Sequence, residues 1–217
     1  TRNMSQTPTR SVSQAQEKPE RNLREDIVRE ALSIVETDGL ERLSLREVAR
    51  RLGVSHQAPY KHFTSRDHIL AEMVGRAFAA FADYLDARPQ TGVADEDLGQ
   101  MGNAYLRYAK EHPLNYRLMF GTPLPDPANH PDMMRLARHA FAVLQDNVAA
   151  LHTQAGRDVS DDAISLDALY IWAALHGLAG ILQGDTVQTL GLAPTVLAMA
   201  EEETLARVGG AFGLYER

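Results

Sequence analysis

Cysteine is absent from the 217-residue chain, which excludes disulfides, thiolate catalysis and every cysteine-based zinc site. Tryptophan occurs once, and aromatic residues make up only 6% of the chain. No window offers about 18 uncharged apolar residues, so no membrane partner is expected. The N-terminal stretch TRNMSQTPTRSVSQAQEKPE has no apolar core, so it does not read as a secretory leader. Other chemistries are missing as well. There is no Gly-rich phosphate loop, no His-Glu-x-x-His pair and no Glu-x-x-His pair of the di-iron bundle type. His112, His130, His139 and His152 lie at spacings that make no ligand set. No catalytic residue, metal or cofactor is therefore expected.

Hydrophobic residues make up 44%, enough to bury a core. The formal net charge of -7 argues mildly against nucleic acid, but its distribution argues the other way. Residues 89–217 hold 8 Lys and Arg against 16 Asp and Glu. Residues 42–68 hold 6 against 2, with three histidines besides. The basic charge is focused on one short stretch, and the acidic remainder would be held away from phosphates.

That stretch, Ser44 to His68, reads as two short helices joined by a glycine turn. Ser44-x-x-Glu47 is a capping box for the first, whose Leu45, Val48, Ala49 and Leu52 form a buried stripe. Gly53 supplies the turn. Ser55 is a suitable N-cap for a helix over about His56–Phe63, with Pro59 and Phe63 facing inward and a tight first turn at Pro59. His56 with Tyr60, and Gln57 with Lys61, form two i,i+4 pairs on its outward face.

Around this stretch the chain alternates helical stripes with Pro and Gly punctuation. A helix over about Arg21–Asp38 carries Leu23, Ile27, Ala31, Ile34 and Val35 on one face and is closed by Gly39. A long helix begins at Thr64 or Ser65, with Thr64-x-x-Asp67 as a possible capping box, and runs to about Ala87. Further helices end at His112, run from Pro113 to Gly121, open at Pro131, and span about Asp161–Gln183 and Pro194–Gly209. The loop TPLPDPANHP carries four prolines and cannot be helical. No strand alternation or internal repeat is visible. The expected fold is all-α with about nine helices: a flexible polar tail over 1–20, a three-helix DNA-binding unit over 21–70 and a helical bundle over 71–217.

The run SLREVARRLGVSHQAPYKHFTSRDHIL, preceded by Ile27, Ala31 and Gly39, resembles the N-terminal domain of the tetracycline-repressor (TetR) family of bacterial regulators. A second resemblance is independent. Tyr105-x-x-Tyr108-Ala109, then His112-Pro113 and Tyr116-Arg117-Leu118-Met119-Phe120-Gly121, is similar to the TetR subgroup with a Trp-His-Gly C-terminal domain. Trp172-Ala-Ala-Leu-His176-Gly177 matches the motif that names it. Gln57 and Pro59 depart from the family, standing where many members have glycine and an aliphatic residue. The resemblance implies a cytoplasmic, homodimeric, ligand-responsive transcription factor, usually a repressor, with double-stranded operator DNA and a small-molecule effector as partners. The competing reading is a helical ligand carrier or enzymatic bundle without DNA-dependent function.

Candidate sites follow from side-chain chemistry. Arg66, at the start of the long helix, suits a phosphate, combining its charge with a positive helix end. Arg46, Tyr60, Lys61 and His62 are further phosphate or base-edge candidates, as are the hydroxyls of Ser44 and Ser55. Gln57 can bind adenine bidentately, His56 can donate to guanine, and Ala58 is small enough to touch a thymine methyl. The plainer alternative is a solvated helix face. Two reading helices about 34 Å apart call for a dimer. Its expected interface is Ile164, Ala168, Ile171, Leu175, Leu178, Ala179 and Leu182, with Val196, Ala200 and Thr204 from the last helix. Met101, Tyr105, Met119, Phe120, Met134, Phe141, Trp172 and His176 are the expected lining of an effector pocket, methionine suiting adaptable walls.

Overall fold

A computed structural model of the protein describes residues 22–121, 123–184 and 186–212; the tail expected over 1–20 lies outside them. Regular secondary structure among the described residues is entirely helical, without a strand.

Helix α1 (Leu23–Asp38) is capped by Asn22 and buries Ile27, Ala31, Ile34 and Val35 of the expected stripe together with Val28, while Leu23 is half-buried at its edge. Gly39 follows at φ +88°, where a side chain would be strained and would meet Glu41 at 2.8 Å. A 3-10 turn, Leu40–Arg42, leads to α2 (Leu45–Leu52). Ser44 Oγ accepts from the Glu47 N–H at 3.1 Å, so half of the expected capping box forms. The Glu47 carboxylate turns away and accepts from Arg50 at 2.8 and 2.6 Å and from Arg51 at 2.9 Å. Gly53 closes α2 in the left-handed region at φ +66°.

The helix expected over His56–Phe63 does not form as an α-helix. Residues 56–58 are turns and Pro59–Lys61 is a 3-10 helix. Pro59 has no N–H to give to Ser55, and the bonds within the segment are i to i−3, Ala58 N to Ser55 O at 2.9 Å and His62 N to Pro59 O at 3.0 Å, until Phe63 N closes one i to i−4 bond on Pro59 O at 2.9 Å. Ser55 therefore caps no helix. Pro59 and Phe63 are buried as expected and pin the segment to the core.

Helix α3 (Arg66–Asp86) starts beside this segment. Its cap is Ser65, whose Oγ accepts from His68 N at 3.1 Å; Thr64 instead pairs with His68 Nδ1. Then follow α4 (Ala94–Glu111), α5 (Pro113–Phe120), α6 (Pro131–Gln154), α7 (Asp161–Gln183), the short α8 (Thr186–Thr189) and α9 (Pro194–Ala211). Pro113, Pro131 and Pro194 each occupy a first turn, where the missing N–H is not needed. Helix α8 was not foreseen. Helix α3 packs along α6, α5 and α4, and α7 lies against α4, α6 and α9. Among the described residues α7 is, by length and composition, able to cross a membrane, with mean hydropathy 1.4. That differs from the expectation of no such segment. One side of α7 is nonetheless spent on the protein core, at Ala168, Ile171, Leu175 and Ala179.

Candidate functional site

Arg46, His56, Gln57 and Tyr60 line one open concavity on the N-terminal unit. Arg46 comes from α2, the other three from the turn and 3-10 segment that Pro59 and Phe63 anchor. His56, Gln57, Tyr60 and Lys61 are exposed; Ala58 and His62 are half-buried. None of the side chains of Arg46, His56, Gln57 and Lys61 has a hydrogen-bond or ion-pair partner among the described residues. Neighbouring Arg50 and Arg51 are spent internally: Arg50 on Glu47, Arg51 on Glu47, Glu30 and Asp38. Hydrogen bonds from Arg50 and then Arg51 hold the Glu47 carboxyl down, to about 2. The sequence presents three similar arginines on α2; the fold spends Arg50 and Arg51 internally and leaves Arg46 free.

Two residues of the expected contact set have structural work. Ser44 caps α2. Arg66 donates from Nε to the Leu43 carbonyl at 3.1 Å and from Nη2 to the Leu40 carbonyl at 2.9 Å. It thus clamps the entry to α2 onto the start of α3, with the remaining Nη1 3.7 Å from Asp67.

The N-terminal unit is tied to the rest by ion pairs and by a side-chain bond to a backbone carbonyl. Arg24 and Arg76 both grip Glu72, and Arg76 also grips Glu25 at 2.6 Å through two nitrogens, joining α1 to α3. The Glu25 carboxyl is lowered, chiefly by that Arg76 hydrogen bond. From α5, Arg117 Nη2 donates to the Val35 carbonyl of α1 at 3.2 Å.

Within the bundle lies a cavity of about 230 Å³. Six of the eight expected residues line it: Met101, Tyr105, Met119, Phe120, Phe141 and Trp172. Met134 does not and packs instead against the core. His176 stands behind the wall, its Nδ1 2.7 Å from Tyr116 Oη and 3.3 Å from Tyr105 Oη. Burial holds its protonation below the ordinary histidine range. Phe78, Phe81 and Leu85 of α3 complete one side and were missed, because on a long amphipathic helix a cavity wall and a packed core share the same periodicity.

The expected dimer residues need correction. Ala168, Ile171, Leu175 and Ala179 are buried inside the protomer, and Ile171 and Leu175 line the cavity. Ile164 and Leu178 pack on the same core, and Leu182 faces a small depression with Leu106 and Glu201. The uncovered apolar side of α7 is instead Leu166 (66% exposed), Leu169, Tyr170, Ala173, Gly177 and Ile181. A helix apolar all round does not announce which stripe its own core takes. On α9, Val196 is exposed with Met199, while Ala200 and Thr204 are half-buried. Among the described residues no group of three His, Asp or Glu side chains is placed to hold a metal.

Comparison with known proteins follows these two regions. Residues 27–73 match the family described as bacterial regulatory proteins, tetR family, and residues 98–205 match the tetracyclin repressor-like C-terminal domain. Over 116 residues the chain is 31% identical to the HTH-type transcriptional regulator Rv1816 of Mycobacterium tuberculosis, covering 52% of this chain and 50% of that protein. The chain thus spans about half the length of the first curated relatives it matches. A second relative from M. tuberculosis, the uncharacterized HTH-type transcriptional regulator Rv0681, is 27% identical over 160 residues, 74% of this chain and 70% of the relative. A solved protein of unknown function from Rhodococcus sp. RHA1 aligns with TM-score 0.68 at 25% identity, covering 90% of this chain and 97% of that one. The TetR family transcriptional regulator PfmR from Thermus thermophilus shares the fold, with TM-score 0.59 at 22% identity over 88% of this chain and 99% of that one.

Proposed function

Because the chain belongs to the TetR family of bacterial transcriptional regulators, we propose that it is a cytoplasmic repressor that holds a palindromic operator as a homodimer and is released by a small-molecule effector. The family and the relatives are transcriptional regulators, not enzymes. The observation that carries the proposal is the reach of α3. It begins at Arg66, capped by Ser65, on the same unit as the open face of Arg46, His56, Gln57 and Tyr60, and its Phe78, Phe81 and Leu85 form a wall of the cavity. The boundary between reading unit and regulatory bundle, near residue 70, then falls inside one continuous helix.

On this reading Gln57 and His56 meet base edges, Arg46, Tyr60, Lys61 and His62 meet phosphates or edges, and Arg66 positions the unit from within. The free stripe of α7, with Val196 and Met199 of α9, supports pairing with a second copy; exposed apolar surface of this extent marks an interaction site. Small residues at Ala173, Gly177 and Gly180 let two α7 helices approach closely. A two-fold pairing is the commonest homo-oligomer.

Release requires that the effector favour a different separation of the two reading units. A ligand shifts such an equilibrium only through its differential affinity for the two states. Moving from 99% to 1% competent takes about 5.5 kcal/mol, which two cavities per dimer supply jointly. The testing experiment is selection of bound sites from random DNA, followed by titration of the winning site with and without a cavity ligand. The expected result is a palindrome whose affinity falls on ligand addition; an asymmetric site or a ligand-insensitive complex overturns the repressor mechanism.

A further inference from the structure

Tyr105 of α4, Tyr116 of α5 and His176 of α7 place three polar atoms at the corners of a triangle. Tyr105 Oη lies 3.0 Å from Tyr116 Oη, and His176 Nδ1 lies 2.7 Å from Tyr116 Oη and 3.3 Å from Tyr105 Oη. From outside the triangle the Trp172 indole donates to Tyr105 Oη at 3.2 Å. Burial raises both tyrosine hydroxyls, so each keeps its hydrogen at neutral and acid pH. With Nδ1 bare, each of the two hydroxyl hydrogens finds a lone pair within the triangle, and Nδ1 takes one of them. With a hydrogen on Nδ1, three hydrogens share three edges, and one edge faces a nitrogen without a lone pair. One hydroxyl hydrogen is then left without an acceptor, which is costly for a buried donor. For Tyr105 the way out is the cavity, whose other lining residues, Trp172 aside, are apolar. The closed triangle thus requires an uncharged imidazole with its hydrogen on Nε2.

His176 is the member that changes, because histidine ordinarily switches charge between pH 5 and 8. Tyr105 and Tyr116 are the titratable groups that face it from α4 and α5; Phe120 and Trp172 complete its ring contacts, and Phe141 of α6 packs on Trp172. On the α9 side the pair of Lys110 and Glu201 lies further along α7, beside Ala179 and Leu182. Burial holds the protonation of His176 below its ordinary value of 6.5, with no charged neighbour contributing among the described residues. The triangle is therefore closed at neutral pH, and its contribution is lost as pH falls below that value. The reading unit lies one residue away. Tyr116 anchors α5 to α7, and the next residue, Arg117, anchors α5 to the Val35 carbonyl of α1.

We propose that this triangle is a proton-operated latch: it ties α4, α5 and α7 together while His176 Nδ1 is bare, and on taking a proton there it frees α5 and lowers operator affinity through Arg117. Only the operator step rests on reading the protein as a DNA-binding regulator.

The full chain is tested in three ways. NMR of the histidine ring nitrogens at about pH 7.5 is expected to show His176 protonated on Nε2 alone; a hydrogen on Nδ1 overturns the latch. Trp172, the sole tryptophan, touches Tyr105 and His176, so its fluorescence reports opening. A fluorescence step below 6.5 is expected in the parent. It should vanish in His176→Asn, whose Oδ1 replaces Nδ1 as an acceptor and does not titrate; a step that survives overturns the proposal. Acidification from about pH 7.5 to about 5.5 should weaken binding to the selected DNA site at least about threefold more in the parent than in His176→Asn. Equal losses would overturn the coupling to the reading unit. Absence of DNA binding at both values would sink the regulator reading and the operator step with it, while the tautomer and fluorescence results still decide the latch.

Discussion

Arg117 and Val35 are 82 positions apart, yet the Arg117 guanidinium donates to the Val35 carbonyl at 3.2 Å. The bond joins α5, which carries the cavity residues Met119 and Phe120, to the C-terminal part of α1 in the DNA-binding unit. It is a second route between cavity and reading face, besides α3. Arg117→Ala is expected to leave operator affinity without ligand within about threefold and to cut ligand-induced release by about 5-fold, the worth of one part-exposed charged hydrogen bond. Paired binding curves with and without a ligand that occupies the cavity check it; an unchanged ratio would show that α3 alone carries the coupling.

Arg66 clamps the entry to α2 onto the start of α3. Its two bonds to the Leu40 and Leu43 carbonyls lie in a part-exposed setting, so Arg66→Ala should cost about 1–2 kcal/mol of stability. Binding to all DNA sequences should weaken together, because the whole reading segment loosens. Arg66→Lys should restore little, since one ammonium cannot span both carbonyls as a planar fork does. Urea unfolding and fluorescence anisotropy on specific and random DNA separate the two effects.

Arg46 and Gln57 border the same concavity and should fail differently. Gln57→Ala is expected to relax specificity at one base position by about 1–3 kcal/mol. Arg46→Ala is expected to weaken all sequences and to reduce the salt slope by about 0.9. Site selection on both variants, with titrations at several salt concentrations, checks the assignment; a selective loss from Arg46→Ala would make it a base reader.

Glu47 sets an acid limit. Its carboxyl sits at about 2 when folded, below its ordinary value of 4.5, because Arg50 and Arg51 donate to it. A depressed carboxylate contributes stability above its unfolded value and loses it as pH falls through the folded one. The contribution is therefore complete above about 4.5 and gone near 2. Glu47→Gln should destabilise the protein at pH 7 and show a shallower loss of urea midpoint between pH 5 and about 2.5 than the parent. Parallel slopes for the two proteins would assign the acid limit to Glu25 and Glu72, whose carboxyls are also lowered.

The two sides of α7 should respond in opposite ways. Leu169→Glu, on the free side, is expected to yield a folded monomer in sedimentation velocity. Ile171→Ala, two positions on but 3% exposed, should keep the oligomeric state and cost about 2–4 kcal/mol of stability. A Leu169→Glu protein that remains dimeric would move the interface off α7.

Local rules were enough to find most of this protein. Apolar spacing in α1 and α2, the caps at Ser44 and Gly53, and prolines at first turns each act within a few residues, so the chain alone determined the helices, the DNA-binding segment and its family. The same locality explains the failures. Whether Arg51 is free or held by Glu30 and Asp38, and whether Arg66 is free or bound to Leu40 and Leu43, depends on groups brought together only by folding. At Pro59 the sequence predicts a tight first turn of an α-helix, whereas turns and a 3-10 segment replace the whole helix. For α7, apolar on every side, only the packing of α4 and α6 chose Ile171 and Leu175 for the interior and left Leu166 and Leu169 outside. Side-chain type determined what each residue is able to do; tertiary structure decided which of its possible partners it meets, because burial and pairing are properties of assembled surfaces and not of spacing along a chain.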